Sequence, residues 1–87
     1  MQQPKADEIT KKLNEVLGRK TTREEVGRWA LAFIVNDDNV EINDIKAWQY
    51  LVAVSGVDEM IAPDEYLYSA EDIKEWIEEN TGNKAVS

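Results

Sequence analysis

The chain has 87 residues, 43% of them hydrophobic and 32% charged, with a formal net charge of −8 and neither Cys nor His. That composition excludes disulfide scaffolds, His/Cys zinc sites and Cys/His nucleophile pairs. The length predicts one domain over 1–87, with an ordered core at about 6–80 and a loose tail at 83–87. The longest apolar run, Trp29–Val35, is far short of the ~20 residues that cross a bilayer. No secretion-type pattern opens the chain, so a cytoplasmic protein without membrane contact is expected.

In chain order, Ile9, Leu13, Val16 and Leu17 form one helical stripe between Pro4 and Gly18, predicting a first helix at about 6–17. Thr22 and Glu25 have the spacing of a capping box, and Val26, Trp29, Ala30, Phe33 and Ile34 predict the core face of a second helix at about 23–36. Asp37-Asp38-Asn39 supplies turn chemistry. A third helix is expected at about 43–55, with Ile45, Trp48, Leu51 and Val52 inward and Gly56 as its stop. Pro63 rules out a continuous helix over 56–68. Val57, Met60, Ile61 and Leu67 predict an irregular segment packed down over the core. Ser69 and Asp72 form a second box, flanked by the staple pair Tyr68 and Ile73, so a fourth helix is expected at about 70–80, ended by Gly82. Val40-Glu41-Ile42 alternates, but three residues make no sheet. The fold class is therefore all-α, a compact four-helix domain.

Three helix starts share one pattern: Glu25-Val26-x-x-Trp29, Asp44-Ile45-x-x-Trp48 and Asp72-Ile73-x-x-Trp76. An acid near the positive helix end, with an aliphatic and a Trp on one face below it, accounts for the pattern physically. Each Trp is expected in the core, where Trp48→Ala would cost about 3–5 kcal/mol.

Groups for chemistry are sparse. Asp37, Asn39, Glu41 and Asn43 alternate like the opening of a calcium loop, but Ile42 and Trp48 stand where Gly and Glu are required. Neighbouring carboxylates do not make a hydrolytic cleft, the four Gly never cluster, and no base activates a Ser. The expectation is a non-enzymatic protein without cofactor or metal.

Charge is segregated along the chain. Residues 1–28 hold seven bases and five acids, a balance of +2, while residues 29–87 hold three bases and thirteen acids, a balance of −10. Two faces follow. The first is an acidic docking face comprising Asp58, Glu59, Asp64, Glu65, Tyr66, Glu71 and Glu75, suited to a basic protein. The alternative is a nucleic-acid-associated regulatory protein whose basic face of Lys11, Lys12, Arg19, Lys20 and Arg23 meets phosphate. The acidic excess repels polyanions, so a basic protein is the expected partner and nucleic acid is not. Asp64→Lys combined with Glu65→Lys is expected to leave stability within about 0.5 kcal/mol and to slow association with such a partner at low salt.

The segments TREEVGRWA over 22–30, Asp37-Asp38, Trp48 and PDEYLYSAEDIKEW over 63–76 resemble a set of small acidic helical bacterial proteins of unassigned function. Some of these are labelled immunity proteins and others DNA-binding proteins. The resemblance extends over residues 9–79 and carries no catalytic motif. Together with the acidic composition it implies the immunity-like role, in which a small acidic protein inhibits a basic nuclease toxin by complementary charge.

Overall fold

A computed structural model describes residues 2–82. The elements run α1 (Ala6–Leu17), α2 (Arg23–Val35), a 3-10 turn (Asp37–Asn39), α3 (Ile45–Val54), β1 (Met60–Ala62), β2 (Glu65–Tyr66) and α4 (Ala70–Thr81). The expected loose tail at 83–87 lies outside the described residues.

Helix ends follow local chemistry closely. Thr22 Oγ1 accepts the Glu25 amide at 3.1 Å, although the Glu25 carboxylate takes the Thr21 hydroxyl at 2.8 Å instead of closing a reciprocal box. At α4 the box is complete: Ser69 Oγ accepts the Asp72 amide at 3.2 Å, and Asp72 Oδ2 accepts the Ser69 amide at 2.8 Å. Gly82 ends α4 in the left-handed region at φ 73°. The first residue of α3 is Ile45 because Asp44 is the N-cap, accepting the Ala47 amide at 3.1 Å. Acids of the shared Trp pattern are thus not equivalent, since Glu25 and Asp72 lie one turn inside their helices and Asp44 lies at the cap.

α3 also receives help from the chain start. The Gln3 side chain is buried, its Oε1 accepting the Asn43 and Asp44 amides at 2.8 and 3.0 Å while its Nε2 donates to the Asp44 carbonyl at 3.0 Å. Beside it, Gln2 and Glu41 form an isolated parallel bridge, and Val40 is buried.

The core gathers Ile9 and Leu13 from α1, Val26 and Ala30 from α2, Tyr50, Leu51 and Val54 from α3, Val57, and Ile73 and Ile77 from α4. α1 packs against each of the other three helices, and α3 against α2 and α4. The three Trp are half-buried at the margin of this cluster. Truncating Trp48 accordingly costs less than deletion of an enclosed aromatic.

Three expectations are corrected. The fold is not purely all-α, because residues 60–66 form a small antiparallel hairpin, with Met60 opposite Tyr66 and Ala62 opposite Glu65. Pro63 and Asp64 make the turn, Pro fixing φ at a position where a turn needs it. Nor does the segment pack down over the core. Val57 is buried, but Met60, Ile61 and Leu67 are exposed: Met60 and Ile61 point to opposite faces of the ribbon and both meet solvent, so β1 stands off the core. In α3, Ile45 and Val52 point outward, while Ala47 and Tyr50 take the inward positions, Tyr50 OH lying 3.0 Å from the Thr10 hydroxyl.

Gly18 does not supply the left-handed residue at the end of α1; Arg19 does, at φ 60°. The Arg19 amide donates to the Val16 carbonyl at 3.1 Å and the Lys20 amide to the Glu15 carbonyl at 2.8 Å, the paired bonds of a Schellman ending. A side chain at that φ is strained by ~1–2 kcal/mol, partly offset in glycine by greater freedom of the unfolded chain. Arg19→Gly is therefore expected to stabilise the fold by about 0.5–1 kcal/mol, seen as a higher urea midpoint at unchanged slope.

Candidate functional site

The Schellman turn after α1 leads directly into the Thr22 cap of α2, and the basic residues gather around this corner. Lys11 and Lys20 border one shallow depression along α1, Lys12 and Lys20 border a second beside Trp29, and Arg19 and Arg23 border a third beside Tyr66. Lys11, Arg19 and Lys20 are exposed. Lys12 and Arg23 are half-buried and already engaged, the Lys12 ammonium lying 5.1 Å over the Trp29 ring. Glu15 and Glu25 are interspersed among these cations. Among the described residues, no salt bridge joins any of the five bases to an acid. Arg19 and Lys20 follow the carbonyl end of α1, where positive charge is favoured.

Arg23 ties this corner to the hairpin. Its guanidinium donates to the Tyr68 carbonyl and stacks 4.3 Å from the centre of the Tyr66 ring, while Tyr66 OH donates to Glu24 Oε1 at 2.5 Å. The Leu67 amide donates to the Glu59 carbonyl at 2.8 Å, closing the base of the hairpin. Tyr68, expected as a staple against Ile73, lays its ring edge-on to Trp76 with centroids 4.8 Å apart. Gly27 admits Asp58 close to α2, since a Cβ there would stand 2.8 Å from Asp58 Oδ1.

The acidic candidates divide between two places. Asp58, Glu59, Asp64, Glu65 and Tyr66 belong to the hairpin and its approach, whereas Glu71 and Glu75 lie one turn apart on exposed positions of α4. Glu71 is paired with Lys74 at 3.4 Å. Nothing in the sequence marks Glu24 as the partner of Tyr66: it reads only as a first-turn acid, and the contact spans 42 positions.

Accepting the Tyr66 hydroxyl holds the Glu24 carboxyl below its ordinary range, and donating to that carboxylate pushes the Tyr66 phenol up. The bond's contribution is complete above the ordinary carboxylate range and lost as pH falls through Glu24's lowered pKa. At the alkaline end it is lost as pH rises through Tyr66's raised pKa. Tyr66→Phe is expected to move the Glu24 titration up toward the ordinary carboxylate range, followed by NMR of its side-chain carbon; an unmoved Glu24 titration would show that the bond is not what depresses it.

The family described as "YxzC DNA-binding protein" matches residues 3–80. An uncharacterised protein of Bacillus subtilis (strain 168), YxzC, is 38% identical over 74 residues, which cover 85% of this chain and 60% of the relative. The chain thus spans less than two thirds of that relative's length. No solved structure matches. The description of the family corrects the expectation that nucleic acid is an improbable partner and a basic protein the expected one. That expectation weighed the overall charge of −8, whereas the fold collects the bases at one corner, and opposing charges beyond a Debye length of ~8–10 Å are largely screened. Matched along nearly its whole length, the chain belongs to the YxzC family.

Proposed function

We propose that this chain is a non-enzymatic DNA-binding module that meets the phosphate backbone with the corner between α1 and α2. The family's description supports this reading, and the observation that carries it is the set of bases around that corner without acid partners among the described residues. Lys11, Arg19 and Lys20, exposed and unengaged, are the phosphate contacts. Lys12 and Arg23 play a lesser part, because a cation already stacked on an aromatic ring must leave it to reach a phosphate.

Three phosphate contacts give a definite salt response. Each neutralised phosphate releases condensed counterions, so log K against log[salt] should fall with a slope near −0.9 per contact, about −2.7 in all. Binding of this order positions a protein on duplex DNA without reading sequence, since phosphate contacts carry no base information. The acidic remainder orients the molecule, because the corner is drawn to the polyanion and the other surfaces are repelled.

Fluorescence anisotropy with a labelled duplex, titrated across salt concentrations, tests the reading. The expected result is binding at low salt with the slope above, and Lys11→Gln or Lys20→Gln should each reduce the slope by about 1. Absence of binding at low salt, or slopes indifferent to these substitutions, would remove the assignment.

A further inference from the structure

We infer that the outer face of α2 and α3 is a two-fold interface with a second copy of this chain. The starting observation is a set of large aliphatic side chains that face solvent where sequence periodicity places two of them inside. Val35 is 67% exposed, Ile45 62%, Leu31 46% and Val52 45%. These four residues belong to two helices that pack against each other. Gly27 near the start of α2 approaches the Ser55 carbonyl at the end of α3, so the two helices run antiparallel. In that register Leu31 lies beside Val52, and Val35 lies toward Ile45. At 100° per residue each pair lies on the outward side of its helix, roughly 90–170° from the centre of the buried positions. The result is one apolar surface across two helices, distinct from the basic corner at the other side of α2. Contiguous patches of this kind on a monomer are commonly interaction sites.

Charge identifies the occupant. Beyond Glu24, which accepts the Tyr66 hydroxyl, the outward stripe of α2 reads Arg28, Leu31, Val35, and the chain continues into Asp37 and Asp38 in the 3-10 turn. All five are exposed, and among the described residues no salt bridge includes Arg28, Asp37 or Asp38. The order is base, apolar, apolar, acid, which is complementary to its own reverse. Two α2 helices placed antiparallel, with residue numbers summing to about 66, set Leu31 of each copy on Val35 of the other and Arg28 on Asp38. An isologous interface requires that self-complementarity, with residue i meeting j and j meeting i. A partner of uniform charge would satisfy one end of the stripe and oppose the other. The inference does not depend on the DNA reading, and a two-fold here leaves the α1–α2 corner of each copy uncovered, at opposite ends of the paired helices.

Sedimentation velocity on the 87-residue chain, without DNA and from micromolar to millimolar concentration, tests it. The expected result is a reversible monomer–dimer equilibrium that Leu31→Lys with Val35→Lys shifts to monomer. Thermal melts confirm that this exposed double variant is folded. Arg28→Asp alone and Asp38→Arg alone should each weaken the dimer at least several-fold, by placing like charges opposite one another. The two combined should restore it, because the exchanged charges again meet their opposites across the two-fold. A chain that stays monomeric throughout would overturn the inference and leave the patch to another partner. A dimer indifferent to Leu31 and Val35, or one not rescued by the charge exchange, would overturn it as well.

Discussion

Ile9 and Leu13, one turn apart on α1 and fully buried, are the side chains around which the other helices close. Among the described residues α1 contacts each of α2, α3 and α4, and α3 likewise contacts each of the other helices. In a chain this short the enclosed volume is small, so the interior is filled by Ile, Leu, Val and Ala, with Tyr50 as the one enclosed aromatic. The three Trp then have no place but the margin, where a large ring covers the seam between helices with one face and meets solvent with the other. Their marginal position makes them useful as platforms: Trp29 lies under Lys12, and Trp76 receives Tyr68 from the hairpin.

Helix limits were legible to within two residues because they are decided by neighbours in sequence. Thr22, Asp44, Ser69 and Gly82 each satisfy or release backbone groups of their own turn, and only the entry to α3 also draws on a distant residue, Gln3. The orientation of α3 was not legible. Ala47, Trp48, Tyr50, Leu51, Val52, Ala53 and Val54 make that helix apolar almost all round, so the period fixes no single face. Tyr50 is chosen for the interior by the Thr10 hydroxyl, forty residues away. The hairpin was hidden for a related reason: strands of three and two residues carry no measurable alternation, and the contacts that hold them reach back to Arg23 and Glu24.

The basic residues were legible as a set, but a charge summed over the whole chain hides where they gather. A sum over the chain is a property of solubility and long-range steering, while a bound phosphate responds to charges within several ångströms. The fold converts an excess of bases in the first third of the sequence into a spatial separation. It does so with a helix, a tight reversal and a second helix start, which bring Lys11, Arg19, Lys20 and Arg23 around one corner. The same fold removes Arg23 from the set of unengaged bases by stacking it on Tyr66, a cost no inventory of charged residues would reveal.

The Gln3 side chain bears on how the molecule assembles. It completes the entry to α3 from about forty positions away, so Gln3 and the middle of the chain must find each other before that helix start is fully satisfied. During synthesis Gln3 emerges before Asn43 and Asp44, and its side chain waits without these partners until they too have left the ribosome. A bulky side chain substituted for Gln3 would compete for the space in which Gln2 pairs with Glu41 and Gln3 is enclosed.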